Sequence, residues 1–105
     1  MSIFEEREKE FEKRFKHDQE LQFKIKARSN RLLGLWAAQH MRLEGDAADR
    51  YAREVVEAAL KGGDRTVIRK VAADVSATGQ TVTEAQVKFR LDHLRAEAKK
   101  QIEQE

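Results

Sequence analysis

The residues whose types could carry chemistry are scattered along this sequence of 105 residues. The three histidines, His17, His40 and His93, lack the His-x-x-x-His spacing and so predict no metal site. The three serines have no histidine nearby in the sequence, so a nucleophile would lack its base. Gly62-Gly63 lacks the Lys-Ser/Thr pair of a phosphate-binding loop, and there is no cysteine. We therefore expect neither an enzyme nor a metalloprotein.

A block of positive charge is the first feature that could bind a ligand. No acidic residue lies between Leu21 and Leu43, where five basic residues occur: Lys24, Lys26, Arg28, Arg31 and Arg42. Two interpretations stay open, pairing with the acidic segment that follows or binding of a phosphate group. No stretch of the chain is basic enough to require a nucleic acid, and we expect no nucleic-acid partner.

A sparse apolar stripe near the N-terminus has the spacing of a partner-binding helix. Phe4, Phe11 and Phe15 recur at intervals of seven and four residues in a segment that is otherwise mostly charged. The stripe then loses its register, and the apolar pattern restarts at Leu21. The segment either packs back onto the rest of the chain or forms an arm that docks its Phe face into a partner's groove. High charge density and the lost register favour the arm, which we assign to residues 1–18.

Local signals predict that this arm is flexible or partly helical when free. Ser2 and Glu5 fit a capping box, and the i,i+4 pairs Glu10–Arg14 and Glu12–Lys16 each support a helix by about 0.2–0.5 kcal/mol. So little apolar surface leaves such a helix marginal alone. Residues 16–20 are interpreted as a hinge or as a change of function along one helix.

The remaining residues, 19–105, predict an all-α fold, a four-helix bundle that carries the arm. The chain has no proline, and apolar residues recur at helical spacing in four segments: 21–43, 47–61, 64–79 and 83–102. The connections between these segments are short, and short connections favour antiparallel packing of successive helices. Gly45 and Asp46 are expected to cap the first junction, and Thr83 with Gln86 fits a capping box.

Two residues of the first bundle segment carry specific expectations. Gly34 costs about 1 kcal/mol relative to alanine in a helix, which indicates close approach of another backbone. Trp36, the only tryptophan, is expected at the centre of the bundle. No apolar run approaches the ~20 residues of a membrane span, and the charged N-terminus is no secretory signal. We therefore expect a cytoplasmic protein that does not insert into a membrane.

The sequence resembles the zeta-subunit family of alphaproteobacterial ATP synthases along essentially its whole length. The likeness begins with Phe11-Glu12-Lys13-Arg14-Phe15 and His17-Asp18, and continues through Phe23. Its most specific part is Arg-Leu-Leu-Gly-Leu-Trp-Ala-Ala at residues 31–38. Further matches lie at residues 51–56, at residues 69–71 together with Asp74, and at residues 81–94.

The resemblance implies a four-helix bundle whose N-terminal segment blocks ATP hydrolysis. That segment would enter a catalytic interface of the synthase head, formed by the alpha, beta and gamma subunits, from a monomer held peripheral to the inner membrane. The candidate partner-binding residues are Phe4, Arg7, Phe11, Arg14, Phe15 and Asp18.

The resemblance also implies that some members bind adenine nucleotide on the bundle. We expect no required cofactor here, but weak ADP or ATP binding by Arg28 and Arg31. Ser29 stands where a second arginine would be expected, which would lower anion affinity. An adenine-nucleotide-binding helical module and a general helical adaptor protein remain as alternative functions.

Overall fold

A computed structural model describes residues 3–105, with side chains described for residues 9, 10 and 12–105. Three helices and no strand occur in this part of the chain: α1 (Ile3–His40), α2 (Gly45–Ser76) and α3 (Glu84–Glu103). None of these helices combines the length and apolar character that a membrane crossing would need. The predicted all-α class is confirmed, whereas the capping role of Ser2 lies outside the described residues.

The prediction of a four-helix bundle is not confirmed, because the described chain contains three helices. The expected arm and first bundle helix are one uninterrupted helix, α1, since residues 16–20 contain no glycine or proline to break it. The expected second and third helices both fall within α2. Gly63 interrupts α2 with φ 73° and ψ −167°. These values lie outside the helical region, and glycine tolerates them because it has no Cβ. The Gly62-Gly63 sequence therefore marks a kink rather than a loop.

The core forms where the three helices meet. Leu33, Ala37 and Ala38 of α1 pack in one cluster with aliphatic residues of both halves of α2 and of α3, which are Val55, Val67, Val71, Val75, Val87 and Leu91. Gly34 lies against α2, because a Cβ placed there would be 2.6 Å from the backbone Cα of Ala52. The predicted close approach at Gly34 is confirmed.

The buried face of α1 does not centre on Trp36. Ile25, Ser29 and Leu33 are buried, whereas Trp36 is only partly buried at the edge of the core. The Trp36 ring contacts the His40 ring at 4.5 Å between centroids, and the Arg90 guanidinium lies 5.4 Å from its centroid. The expectation of a central Trp36 is wrong, because its small neighbours occupy the centre: Gly34 lies against Ala52 of α2, and Ala37 and Ala38 are fully buried.

The predicted helix caps can be compared with the backbone at two junctions, between α1 and α2 and at the start of α3. Gly45 has the expected left-handed φ, 54°, whereas Asp46 does not cap α2, because the N-cap residue is Glu44 and makes no side-chain capping hydrogen bond. At the end of α1 the left-handed residue is Arg42, with φ 60°, and the Leu43 N–H donates to the Ala38 carbonyl at 2.8 Å. This pattern is a Schellman cap at the end of α1. The predicted capping box of α3 is confirmed by the reciprocal hydrogen bonds between Thr83 and Gln86.

Two polar contacts hold the helices together, one between the two halves of α2 and one between α3 and α2. The Tyr51 hydroxyl donates to Asp74 Oδ2 at 2.8 Å across the two halves of α2, and burial followed by this hydrogen bond raises the pKa of Tyr51. The Arg95 guanidinium of α3 grips both oxygens of Asp64 at 2.9 and 3.0 Å. This paired donation lowers the pKa of Asp64.

Candidate partner-binding site

The arm projects from the bundle as the first turns of α1. Every described side chain from Lys9 to Glu20 is exposed, including Arg14 and Asp18, and Phe15 is 56% exposed. The side chains of Phe4, Arg7 and Phe11 lie outside the described residues, although their backbone belongs to α1. The radius of gyration is 17.4 Å, against about 13 Å for a compact chain of this length. The molecule is therefore elongated along the helix that carries the arm.

The described part of the arm does not pack back onto the bundle. Because α1 is uninterrupted from residue 3 to residue 40, the arm continues the direction of the bundle helix instead of reversing. The expected pairs Glu10–Arg14 and Glu12–Lys16 form no ion pair among the described side chains. Its charges thus remain open to a partner.

A shallow groove links the arm with the bundle. It has a volume of about 390 Å³ and runs from Phe15 past Asp18 to Phe23 and Lys26. Phe23 is 61% exposed, and sequence reasoning did not assign it to any site. The available signal was a large apolar residue outside the buried stripe of its own helix.

Leu60 extends this exposed apolar surface onto α2. It was predicted to continue the apolar stripe of residues 47–61, yet it is 69% exposed. A second groove of about 390 Å³ joins Leu60 to Phe23 and is bordered by Lys26 and Asp64. The kink at Gly63 follows Leu60 closely, and Leu60 lies outside the core at the end of its stripe.

The two arginines singled out for anion binding line one groove of about 690 Å³. Lys24 and Arg53 also border it, and Phe23 contributes an aromatic wall. Arg28 is paired with the Glu105 carboxylate at 2.5 Å, whereas Arg31 forms no ion pair within the described chain. The groove therefore offers guanidinium donors beside an apolar surface.

Ser29 does not belong to this groove. Its side chain is fully buried, and its hydroxyl donates to the Lys26 carbonyl at 3.0 Å. A side chain at this position faces the core, so an arginine here would need a different local packing. The structure thus gives Ser29 a packing role in place of the surface role that was expected of the position.

The described side chains form surfaces that suit binding. No group of three or more metal-ligating side chains occurs among the described residues. What the geometry presents is an exposed helical arm, a neighbouring apolar surface and a basic groove.

Comparison with known proteins found a matching family and a similar solved structure. The family model described as ATPase inhibitor subunit zeta matches residues 1–101. A solved structure, described as a solution NMR structure, is 39% identical in sequence. The aligned region covers 80% of this chain and 96% of the solved chain, and the TM-score is 0.69. A search of curated proteins found no match.

Proposed function

The chain belongs to the ATPase inhibitor subunit zeta family, and we propose that it inhibits ATP hydrolysis by inserting its arm into a catalytic interface of the ATP synthase head. Membership of an inhibitor family makes it a regulatory protein rather than an enzyme. The observation that supports the insertion is the exposure of every described arm side chain on an unbroken helix. The family match also includes the arm.

The mechanism that suits this geometry is a mechanical wedge. A helix has a diameter of about 10–12 Å with its side chains, so one held between two subunits keeps them apart. In a rotary ATPase the catalytic interfaces must open and close in turn, and a helix fixed in one of them stops the cycle. No bond needs to be made or broken by the inhibitor.

The arm residues supply two kinds of contact in this mechanism. Phe4, Phe11 and Phe15 would face apolar walls, and complete burial of one such side chain contributes roughly 1.5–3 kcal/mol. Arg7, Arg14 and Asp18 would pair with polar groups at the edge of the cleft and set the register. The partner subunits on this proposal are alpha, beta and gamma of the head, reached by a monomer that stays peripheral to the inner membrane.

The test is to add purified protein to the isolated ATPase head and follow ATP hydrolysis. We expect the full chain to inhibit, whereas a chain starting at Gln19 and the double variant Phe11→Ala/Phe15→Ala should not. Phe89→Ala is the matched control, because Phe89 is 76% exposed but lies in a separate groove beside Trp36.

Circular dichroism and thermal melting separate loss of contact from loss of fold. The truncated chain should retain a cooperative melt, because no described side chain before Leu21 is buried. Full inhibition by the truncated chain would contradict the proposal and assign the activity to the bundle. Purification of the protein from cells without ATP synthase subunits would instead favour the alternative of a general helical adaptor.

Weak binding of adenine nucleotide is a second candidate function, favoured by the groove that Arg28 and Arg31 share with Phe23. The planar guanidinium forks suit phosphate oxygens, and the aromatic ring could stack against the base. Calorimetry with ADP and ATP at low salt is the test. Heat that disappears in Arg31→Ala supports the site, and absence of heat at millimolar concentrations rejects it.

A further inference from the structure

Large apolar side chains remain exposed on the bundle directly beside the arm. Phe15, Phe23 and Leu60 are three of the four large apolar residues that are mainly exposed among the described side chains. Two adjoining grooves connect them, one from Phe15 to Phe23 and one from Phe23 to Leu60. We call these three residues the apolar ridge. Contiguous apolar surface of this kind commonly marks an interaction site.

The helix geometry ties the ridge to whatever holds the arm. Phe15 and Phe23 are eight residues apart on the uninterrupted α1, so they are separated by about 12 Å along its axis. Eight residues also rotate the side chain by about 80° around the helix, away from the arm face. The ridge therefore turns from the arm toward Leu60 on α2. A partner that binds Phe15 can therefore also contact Phe23 without a conformational change in this protein.

The charges around the ridge indicate the chemistry of the surface it fits. Lys24, Lys26 and Arg53 border the grooves at Phe23 and form no ion pair within the described chain. The acidic Asp64 nearby is already bound by Arg95. Asp18 and Glu57 also line these grooves without an ion pair, but the unpaired bases, which include Arg31, outnumber them. The net unpaired charge at the rim is thus positive, and a complementary surface would be an apolar hollow bordered by carboxylates.

We infer that the Phe23 and Leu60 end of the apolar ridge is a second contact with the ATPase head, continuous with Phe15 of the arm and seated on an acidic-rimmed apolar hollow at the mouth of the cleft that receives the arm. This inference rests on the proposed function. Because the arm and Phe23 lie on one uninterrupted helix, α1, engagement of one contact raises the effective concentration of the other. The bundle then acts as an anchor that holds the arm in the cleft and limits how deeply it enters.

The experiment measures the concentration of full-length protein that halves ATP hydrolysis by the isolated head. The double variant Phe23→Ser/Leu60→Ser should require about tenfold more protein, or above, since burial of one such side chain is worth about a factor of ten in affinity. Phe89→Ser is the matched control and should stay within about twofold of the wild type, as a surface substitution outside the contact. Both variants should melt as the wild type does, because all three side chains are exposed.

A charge reversal provides a second readout. Arg53 lies at the rim and outside the arm, so Arg53→Glu should act mainly on the association rate. We expect slower association with the head and a weaker dependence of the association rate on salt, with a smaller change in the dissociation rate. Unchanged association kinetics would contradict an acidic rim on the partner.

The outcomes separate this inference from the function on which it rests. If the wild type inhibits and Phe15→Ala weakens inhibition while Phe23→Ser/Leu60→Ser does not, the ridge is no contact and the arm mechanism stands. If the wild type does not inhibit, the proposed function fails and the inference with it. If sedimentation shows a dimer that Phe23→Ser/Leu60→Ser dissociates without loss of inhibition, the ridge binds a second copy and the inference is overturned.

Discussion

Substitution of Gly34 by alanine tests the central helix contact of the fold. The new methyl carbon would lie 2.6 Å from the Cα of Ala52, 3.2 Å from its Cβ and 3.3 Å from the Cβ of Val55. Optimal separation between carbon atoms is about 3.5–4.0 Å, so α1 and α2 must move apart by about 1 Å at this point. A backbone atom cannot rotate away as a flexible side chain can, and the neighbouring Leu33 and Ala37 would lose contacts.

The expected magnitude combines two opposing effects. Overpacking of a core costs about 1–3 kcal/mol, and a backbone clash belongs at the upper end. Alanine recovers about 1 kcal/mol of helix propensity. We therefore expect Gly34→Ala to lower the free energy of unfolding by about 2 kcal/mol, which is roughly 8–16 °C in melting temperature for a domain of this size.

Thermal and urea unfolding followed by circular dichroism measure this loss. Gln22→Ala is the control, because Gln22 is exposed on the same helix and its replacement should change stability by no more than about 0.5 kcal/mol. Adding Ala52→Gly to Gly34→Ala removes the 3.2 Å contact but leaves the 2.6 Å contact, so it should restore only part of the stability. A Gly34→Ala protein as stable as the wild type would refute the close approach.

Three further predictions follow from the polar contacts and the backbone. Tyr51 is the only tyrosine, so tyrosinate absorbance at 295 nm should stay absent in the folded protein above pH 10, where the unfolded chain ionises. Its raised pKa means that the stability it contributes falls as pH rises beyond 10, and Tyr51→Phe should remove that slope. The lowered pKa of Asp64 means that its contribution is present near neutrality and is lost as pH falls through its folded value, so Asp64→Asn and wild type should converge in melting temperature below about pH 4. Arg42→Gly should raise stability by about 0.5–1 kcal/mol in urea unfolding, because the left-handed φ of 60° costs a non-glycine residue about 1–2 kcal/mol and glycine loses part of that gain through chain entropy.

Much of the bundle could be predicted from apolar spacing and capping signals. Val87, Leu91 and Ala98 are buried on α3 as their spacing indicated, and the Thr83 capping box begins that helix. The cost of a mid-helix glycine correctly indicated the backbone contact at Gly34. These features succeed because each depends on local chemistry or on one helical face.

Other features depend on packing that no local pattern records. The loss of apolar register at residues 16–20 shows where the chain stops building a core, but polar residues there are compatible with an unbroken helix. The stripe around Trp36 is wide, and only the assembled helices decide which edge is central. Phe23 and Leu60 escaped prediction as a surface because they come from different helices.

Site-specific photo-crosslinking from the arm tests whether the arm enters a catalytic interface. A photoreactive side chain replaces Phe15 in the full-length protein, which is then mixed with the isolated ATPase head during hydrolysis, and Phe89 carries the same group in the control. We expect the probe at position 15 to crosslink to subunits of the catalytic interface to the same extent as it inhibits, while the probe at position 89 does not crosslink to them. Inhibition without any crosslink from position 15, or crosslinks from position 89 alone, would contradict insertion of the arm.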